Sequence, residues 1–196
     1  MTELALVGDI GGTNSRFGLV EPGSTSIGDI DVLKNDDFGS LEEAVGRYVT
    51  ARGITSLAAA AIAVAGPVEG ETVELTNRAW KFTRESLRLA ARAKRFRLLN
   101  DFEALALSLP HLAGDDLVQV GGETPARPAV KIVLGPGTGL GMATLAPLPH
   151  GGWMAPPNSR SFSVSVVLPA SGCEMMAKVR LRETSCSRGL VTCCPV

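Results

Sequence analysis

Two glycine-rich segments of the chain carry the residue types that could bind phosphate. The first spans residues 8–13 (GDIGGT) and follows a short apolar run. Glycine lets the backbone approach an oxyanion closely, successive N–H groups can form an anion nest, and Thr13 adds a hydroxyl donor. Asp9 would repel a phosphate unless a cation lay between them, so its presence predicts Mg²⁺ held directly or through water.

The second segment spans residues 135–141 (GPGTGLG) and again places a threonine between glycines. Neither segment matches the G-x-x-x-x-G-K-[ST] pattern, and neither opens a strand–helix–strand unit as G-x-G-x-x-G would. Either segment alone is typical of a tight hairpin turn. The two together favour two contacts with one polyphosphate.

Asparagine and aspartate follow a predicted strand at positions 100 and 101. An amide that donates and accepts hydrogen bonds, beside a carboxylate that can take a proton from a hydroxyl, suits a sugar. Placed near a γ-phosphate, Asp101 would orient an attacking hydroxyl for in-line transfer. Asp101 also opens a predicted helix, so taken alone it is better explained as an N-cap.

The elements that must position these residues alternate between strands and helices, which predicts the α/β class. The predicted strands are 5–7, 15–20, 57–65, 71–75, 96–99, 131–134 and 142–145, of which the first two form a hairpin. The predicted helices are 41–52, 84–95 and 102–109. The first helix has Ser40 as N-cap, Gly53 as stop, and one apolar face made of Leu41, Ala44, Val45, Tyr48 and Val49. Basic residues cover much of the second, and we interpret them as a solvated face because no aromatic residues interleave them.

Composition excludes several classes of protein. The 196 residues are 45% hydrophobic and 20% charged, which can bury one sizeable core. Nineteen basic residues against 20 acidic ones give a net charge of -1, so we expect neither nucleic acid nor an anionic membrane as partner. No signal peptide is visible, and the longest uncharged stretch, 54–68, is shorter than the roughly 20 apolar residues of a membrane span. We expect a soluble, cytoplasmic protein.

Residues 156–196 differ in composition from residues 1–155. All four cysteines and seven of the 14 serines lie in this segment, which we predict to be a poorly ordered tail with one strand at 164–168. The cysteines form no C-x-x-C pair, so structureless thiols are favoured over a zinc site. One hypothesis for the change in composition is translation of the tail in another reading frame.

Four motifs in order resemble those of bacterial ATP-dependent glucokinases, which belong to the actin-like, ribonuclease-H-like ATPases. They are residues 8–16 (GDIGGTNSR), 75–80 (LTNRAW), 98–102 (LLNDF) and 134–141 (LGPGTGLG). The resemblance covers about residues 3–155 and implies an N-terminal kinase lobe with a mixed central sheet. It implies transfer of the ATP γ-phosphoryl group to the glucose 6-hydroxyl with Mg²⁺, for glycolysis. The related repressor and sugar-kinase family shares the first motif, but its cysteine-rich zinc motif is not found here.

The resemblance also implies roles for individual residues. Asp101 is the expected catalytic base, and the expected sugar-binding residues are Asn77, Asn100 and Asp101. The expected nucleotide and phosphate contacts are Gly8, Asp9, Ile10, Gly11, Gly12, Thr13, Gly135, Gly137, Thr138 and Gly139. Asp9 is expected on the metal side, with Mg²⁺ bound through water. A homodimer is possible in the full-length family.

The chain departs from the glucokinase pattern after residue 155. The family continues into a Gly-Glu-Gly-Gly-His-like segment that holds further sugar hydroxyls, whereas residues 151–155 (GGWMA) are followed here by PPNSRSFSVS. Neither His111 nor His150 stands in the needed context. We therefore expect the 196-residue chain to phosphorylate glucose weakly or not at all. The alternatives are a non-catalytic sugar- or nucleotide-binding lobe and an actin-like ATPase without a sugar substrate.

Overall fold

The structure is a computed structural model that describes residues 4–75, 78–119, 129–136 and 140–155, and the backbone of residues 176–179 and 189–193. The chain divides into two compact units, Met1–Asp101 and Phe102–Val196. The predicted boundary at residue 155 stays a prediction, because only two short strands are described beyond it. Within the described residues, no helix has the length and apolar character needed to cross a membrane.

The first unit is built on a five-stranded mixed sheet. Its strands and helices are β1 Ala5–Ile10, β2 Asn14–Val20, β3 Ile27–Lys34, α1 Leu41–Ala51, β4 Leu57–Val64, β5 Thr72–Glu74, β6 Lys81–Thr83, α2 Arg84–Ala90 and β7 Ala93–Asn100. The order in the sheet is β3-β2-β1-β4-β7, and β5 pairs with β6 separately. β1, β2 and β3 are antiparallel, whereas β4 and β7 run parallel to β1. The predicted hairpin and the α/β class are confirmed.

Helix α1 buries the face that its sequence pattern predicts. Its five predicted core residues are all buried: Leu41, Ala44, Val45, Tyr48 and Val49. The Ser40 hydroxyl accepts a hydrogen bond from the Glu43 N–H at 3.2 Å, which satisfies one of the helix's unpaired N-terminal donors. Gly53 follows the helix with φ +63, a left-handed conformation that favours glycine.

The prediction of one helix over 84–95 is wrong at its C-terminal end. Helix α2 stops at Ala90, and residues 93–95 belong to β7. Arg92 has φ +51, which breaks the helix, and the Arg88 guanidinium donates to the Ala93 carbonyl at 3.0 Å. Ala93 and Arg95 pair with Leu57 and Ala59 of β4, so tertiary structure overrides the helical pattern there.

Strand β3 was not predicted from the sequence. It forms one edge of the sheet, and its glycine and aspartates lower its strand propensity. Its side chains are mostly exposed, including the large apolar residues Ile27, Ile30 and Val32. Pairing with β2, rather than burial, therefore determines this strand.

The second unit contains the rest of α3 and a six-stranded sheet. Its elements are α3 Asp101–Ser108, which begins at the last residue of the first unit, β8 Leu117–Gln119, β9 Lys131–Pro136, β10 Leu140–Pro147, β11 Trp153–Met154, β12 Met176–Val179 and β13 Gly189–Cys193. The strand order is β11-β10-β9-β13-β12-β8. β12 and β13 lie in a part of the tail where the sequence shows no sustained alternation. The predicted strand at 164–168 lies outside the described residues.

Candidate functional site

Three parallel strands of the first unit end in one row. Ile10 of β1 is paired with Val64 of β4, and Val64 is paired with Asn100 of β7. Neighbouring strands lie about 4.8 Å apart, so the ends of β1 and β7 are roughly 10 Å apart. The first glycine turn and the Asn100-Asp101 pair therefore lie at the same edge of the sheet, the one formed by the carboxyl ends of its parallel strands.

The first predicted phosphate segment is partly strand. Gly8, Asp9 and Ile10 belong to β1, and only residues 11–13 form the turn. A Cβ at Gly8 would lie 3.2 Å from the Phe17 ring, so this glycine makes room for core packing. The Ile10 side chain is buried. Among residues 8–13, the backbone atoms best placed to approach an anion are therefore those of the turn.

Asp9 points to a half-exposed position on β1. Its carboxylate pairs with the Arg16 guanidinium of β2 at 3.2 Å, and 56% of the Asp9 side chain is exposed. Within the described residues, no group of three acidic, histidine or cysteine side chains could hold a metal ion. Mg²⁺ keeps several waters and often uses only one or two carboxylates together with substrate phosphates. A single accessible carboxylate at the sheet edge fits that mode of binding.

Asn35 anchors the turn and was missed by the sequence analysis. Its buried amide accepts a hydrogen bond from the Ser15 hydroxyl at 2.6 Å and donates to the Gly11 carbonyl at 2.8 Å. Its backbone N–H donates to the Thr13 carbonyl at 2.9 Å. No sequence signal marks this residue, because its role depends on β3 lying beside β2.

The predicted sugar-binding pair lies at the end of β7. The Asn100 Nδ2 donates to the Gly66 carbonyl at 2.9 Å, which holds the plane of the amide. Asp101 is the first residue of α3 and is partly buried. The third predicted sugar-binding residue, Asn77, lies outside the described residues.

A small hollow, partly open to solvent, adjoins the turn and is lined by Ile10, Gly11, Gly12, Ala65, Leu75 and Arg78. It is too small to enclose a ligand, and it marks this end of the sheet as concave beside the turn.

The second glycine segment is flanked by two paired strands. Gly135 of β9 lies opposite Gly141 of β10, and the Phe102 ring packs on both. A Cβ at Gly141 would overlap the ring and one at Gly135 would lie 2.6 Å from it, so packing alone requires glycine at these two positions. Gly137, Thr138 and Gly139 lie outside the described residues.

The chain is similar to known glucokinases. A family model described as Glucokinase matches residues 6–161. A glucokinase of Marinobacter nauticus is 44% identical over 152 residues, covering 76% of this chain and 46% of the relative. A glucokinase of Hahella chejuensis is 37% identical over 199 residues, covering 96% of this chain and 61% of the relative.

A crystal structure of glucokinase from an Antarctic psychrotroph superimposes with a TM-score of 0.71 and 31% identity, over 81% of this chain and 51% of that one. The fold is thus the actin/hexokinase-like ATPase fold with a mixed central sheet, as the resemblance implies. The chain spans about half the length of the curated relatives it matches. Because the family model covers well over half of the chain, the chain belongs to the glucokinase family.

Proposed function

We propose that the protein transfers the γ-phosphoryl group of ATP to the 6-hydroxyl of D-glucose and so forms glucose 6-phosphate for glycolysis in the cytoplasm. The observation that carries the proposal is the row formed by Ile10, Val64 and Asn100. It brings a glycine turn suited to phosphate and an amide–carboxylate pair suited to a sugar to one edge of one sheet. Family membership supports the same reaction.

The turn would bind the phosphates of ATP. Backbone N–H groups of residues 11–13 are donors that need no side chain, and glycine allows the phosphate oxygens to come close. Asp9 would hold Mg²⁺ through water, and when bound the ion supplies positive charge that neutralises the phosphates. Gly137, Thr138 and Gly139 would make the second phosphate contact, as the resemblance implies.

Asn100 and Asp101 would act on the sugar. The Asn100 amide, held by the Gly66 carbonyl, would orient glucose through its hydroxyls, and Asn77 would assist. The Asp101 carboxylate would accept the proton of the 6-hydroxyl as its oxygen bonds to the γ-phosphorus. The bond between that phosphorus and the bridging oxygen breaks, and ADP leaves with the electron pair.

The test is glucose-dependent formation of ADP by the purified protein, compared with Asp101→Asn. We expect the rate of glucose-dependent ADP formation to fall by a factor of about 100 or more in the variant, since an amide cannot take the proton. Glu71→Gln, which neutralises an exposed carboxylate of the same unit, is the matched control and should keep the rate. The ratio between proteins is the readout, because we expect a low absolute rate.

Three outcomes would contradict the proposal. An unchanged rate in Asp101→Asn would remove the proposed base. ADP formation at the same rate without glucose would favour an actin-like ATPase. Glucose that protects the protein against heat without any ADP being formed would favour a non-catalytic binding lobe.

A further inference from the structure

Arg78 reaches from the segment after β5 to the first glycine turn. Its Nε donates to the Gly12 carbonyl at 3.3 Å and its Nη1 donates to the Asn35 carbonyl at 3.0 Å. Its Nη2 pairs with the Asp36 carboxylate. The guanidinium carbon lies 5.0 Å from the centre of the buried Trp80 ring.

These contacts complete a set of anchors on one side of the turn. The carbonyls of Gly11, Gly12 and Thr13 accept from Asn35 Nδ2, Arg78 Nε and the Asn35 N–H respectively. All three successive carbonyls therefore accept hydrogen bonds from protein donors, and Arg78 is the donor to the middle carbonyl, that of Gly12.

Anchored carbonyls determine where the N–H groups point. The described chain has no cis peptide bond, and in a trans peptide the C=O of one residue and the N–H of the next point in opposite directions. The Gly12 and Thr13 N–H groups therefore face away from Asn35 and Arg78. Within the described residues neither N–H donates to another protein group, so both are available to an anion.

Arginine suits this position better than any other cation. Its planar fork can donate in several directions at once, here to two backbone carbonyls and one carboxylate, whereas a lysine ammonium is a single point. The Asp36 side chain is 81% exposed, so its ion pair contributes little. The contacts with Gly12 and Asn35 are the ones that matter for the turn.

We propose that Arg78 is a positioning residue that holds the first glycine turn in its phosphate-binding conformation, with the Gly12 and Thr13 N–H groups turned outward. The proposal rests on the proposed function, because it takes those N–H groups as ATP contacts. It adds a residue outside the glycine motif to the phosphate site.

The first experiment needs no ligand. The Gly11 N–H donates to the Asn14 carbonyl at 3.0 Å and closes the turn, so its hydrogen exchange, followed by NMR, reports the turn's conformation. We expect Arg78→Gln to speed this exchange by about tenfold or more, and Asp36→Asn, which removes only the exposed ion pair, to leave it unchanged. Unchanged exchange in Arg78→Gln would overturn the proposal.

The second experiment measures MgATP affinity by calorimetry on the same proteins. We expect the dissociation constant to rise about tenfold in Arg78→Gln and less in Arg78→Lys, with Asp36→Asn within about twofold of wild type. Arg78→Lys serves if the glutamine variant does not fold. Faster Gly11 exchange with unchanged MgATP affinity would overturn the role in phosphate binding. A wild-type protein that binds no MgATP would instead contradict the proposed function, while the exchange experiment still decides whether Arg78 holds the turn.

Discussion

At the scale of single residues, glycine has two different uses in the two glycine motifs. Gly8, Gly135 and Gly141 leave room for phenylalanine rings, whereas Gly11 and Gly12 form the turn. The motif pattern could not separate these uses, because Phe17 and Phe102 reach the glycines only in the folded structure. Asn35 was missed for the same reason, as was the contact of Arg78 with the turn, since their partners lie about 20 to 70 residues away along the chain.

Gly141→Ala should destabilise the second unit. The added Cβ would overlap the Phe102 ring, and overpacking of this kind costs about 1–3 kcal/mol. Gly28→Ala is the matched control, because an added Cβ at that strand position has no atom within 4 Å. Urea unfolding should show a loss of free energy of unfolding for Gly141→Ala alone. Equal losses in both variants would contradict the packing explanation.

At the scale of elements, burial determined which predictions succeeded. Helix α1 was predicted with its cap and its buried face, because amphipathic periodicity and a serine cap are local signals. The end of α2 and the start of β7 were not predicted correctly, since parallel pairing with β4 determines where β7 begins. Strand β3 was missed because glycine and aspartates interrupt its apolar residues and its pairing with β2 is not visible in the sequence.

Gly46→Ala should stabilise α1. Gly46 lies inside the helix, and a Cβ there would have no atom within 4 Å. Alanine is better than glycine in a helix by about 0.5–1 kcal/mol, because glycine loses more backbone entropy on folding. A higher free energy of unfolding in urea is the expected result, and a lower one would show that the helix face is more crowded than the structure indicates.

Tyr48 links α1 to Asp29 of β3. Its hydroxyl donates to the Asp29 carbonyl at 2.7 Å, and the Arg52 guanidinium lies 3.8 Å from the centre of its ring. Burial raises the pKa of Tyr48 above its usual value, although the nearby Arg52 charge lowers it in part. The folded protein therefore holds this proton more tightly than the unfolded chain does.

The stability that Tyr48 contributes should consequently be lost at high pH. It is fully present below about pH 10, the pKa of an exposed tyrosine, and falls as pH rises through the raised pKa of the folded state. Tyr48→Phe should cost about 1 kcal/mol at neutral pH through the lost hydrogen bond. The chain has one tyrosine. The free energy of unfolding, measured with a chemical denaturant between pH 9 and pH 12, should therefore fall less steeply in the variant than in wild type. Parallel curves would contradict this account.

At the scale of the whole molecule, the chain forms two compact units. The glycine turn, Asn100 and Asp101 belong to the first unit, and the second glycine segment belongs to the second. The family and the class of fold could be predicted because four short motifs keep their order along the chain. The alignment of the three strand ends could not be predicted, since it depends on the register of β1, β4 and β7.

For the tail, residues 156–196, the hypothesis is that it is translated in another reading frame. We expect sequencing of the coding DNA across codons 145–196, translated in all three frames, to show a frame that continues into a Gly-Glu-Gly-Gly-His-like segment. If no frame does so, the cysteine-rich tail is genuine and the hypothesis fails.

The central proposal is that the residues at the carboxyl ends of β1 and β7 transfer a phosphoryl group to the glucose 6-hydroxyl. Phosphorus NMR of the purified protein with MgATP and either glucose or 6-deoxyglucose tests it most directly. We predict a slowly growing glucose 6-phosphate signal with glucose, its loss in Asp101→Asn, and no phosphorylated sugar with 6-deoxyglucose. Release of inorganic phosphate at the same rate with either sugar, and no sugar phosphate, would contradict the claim.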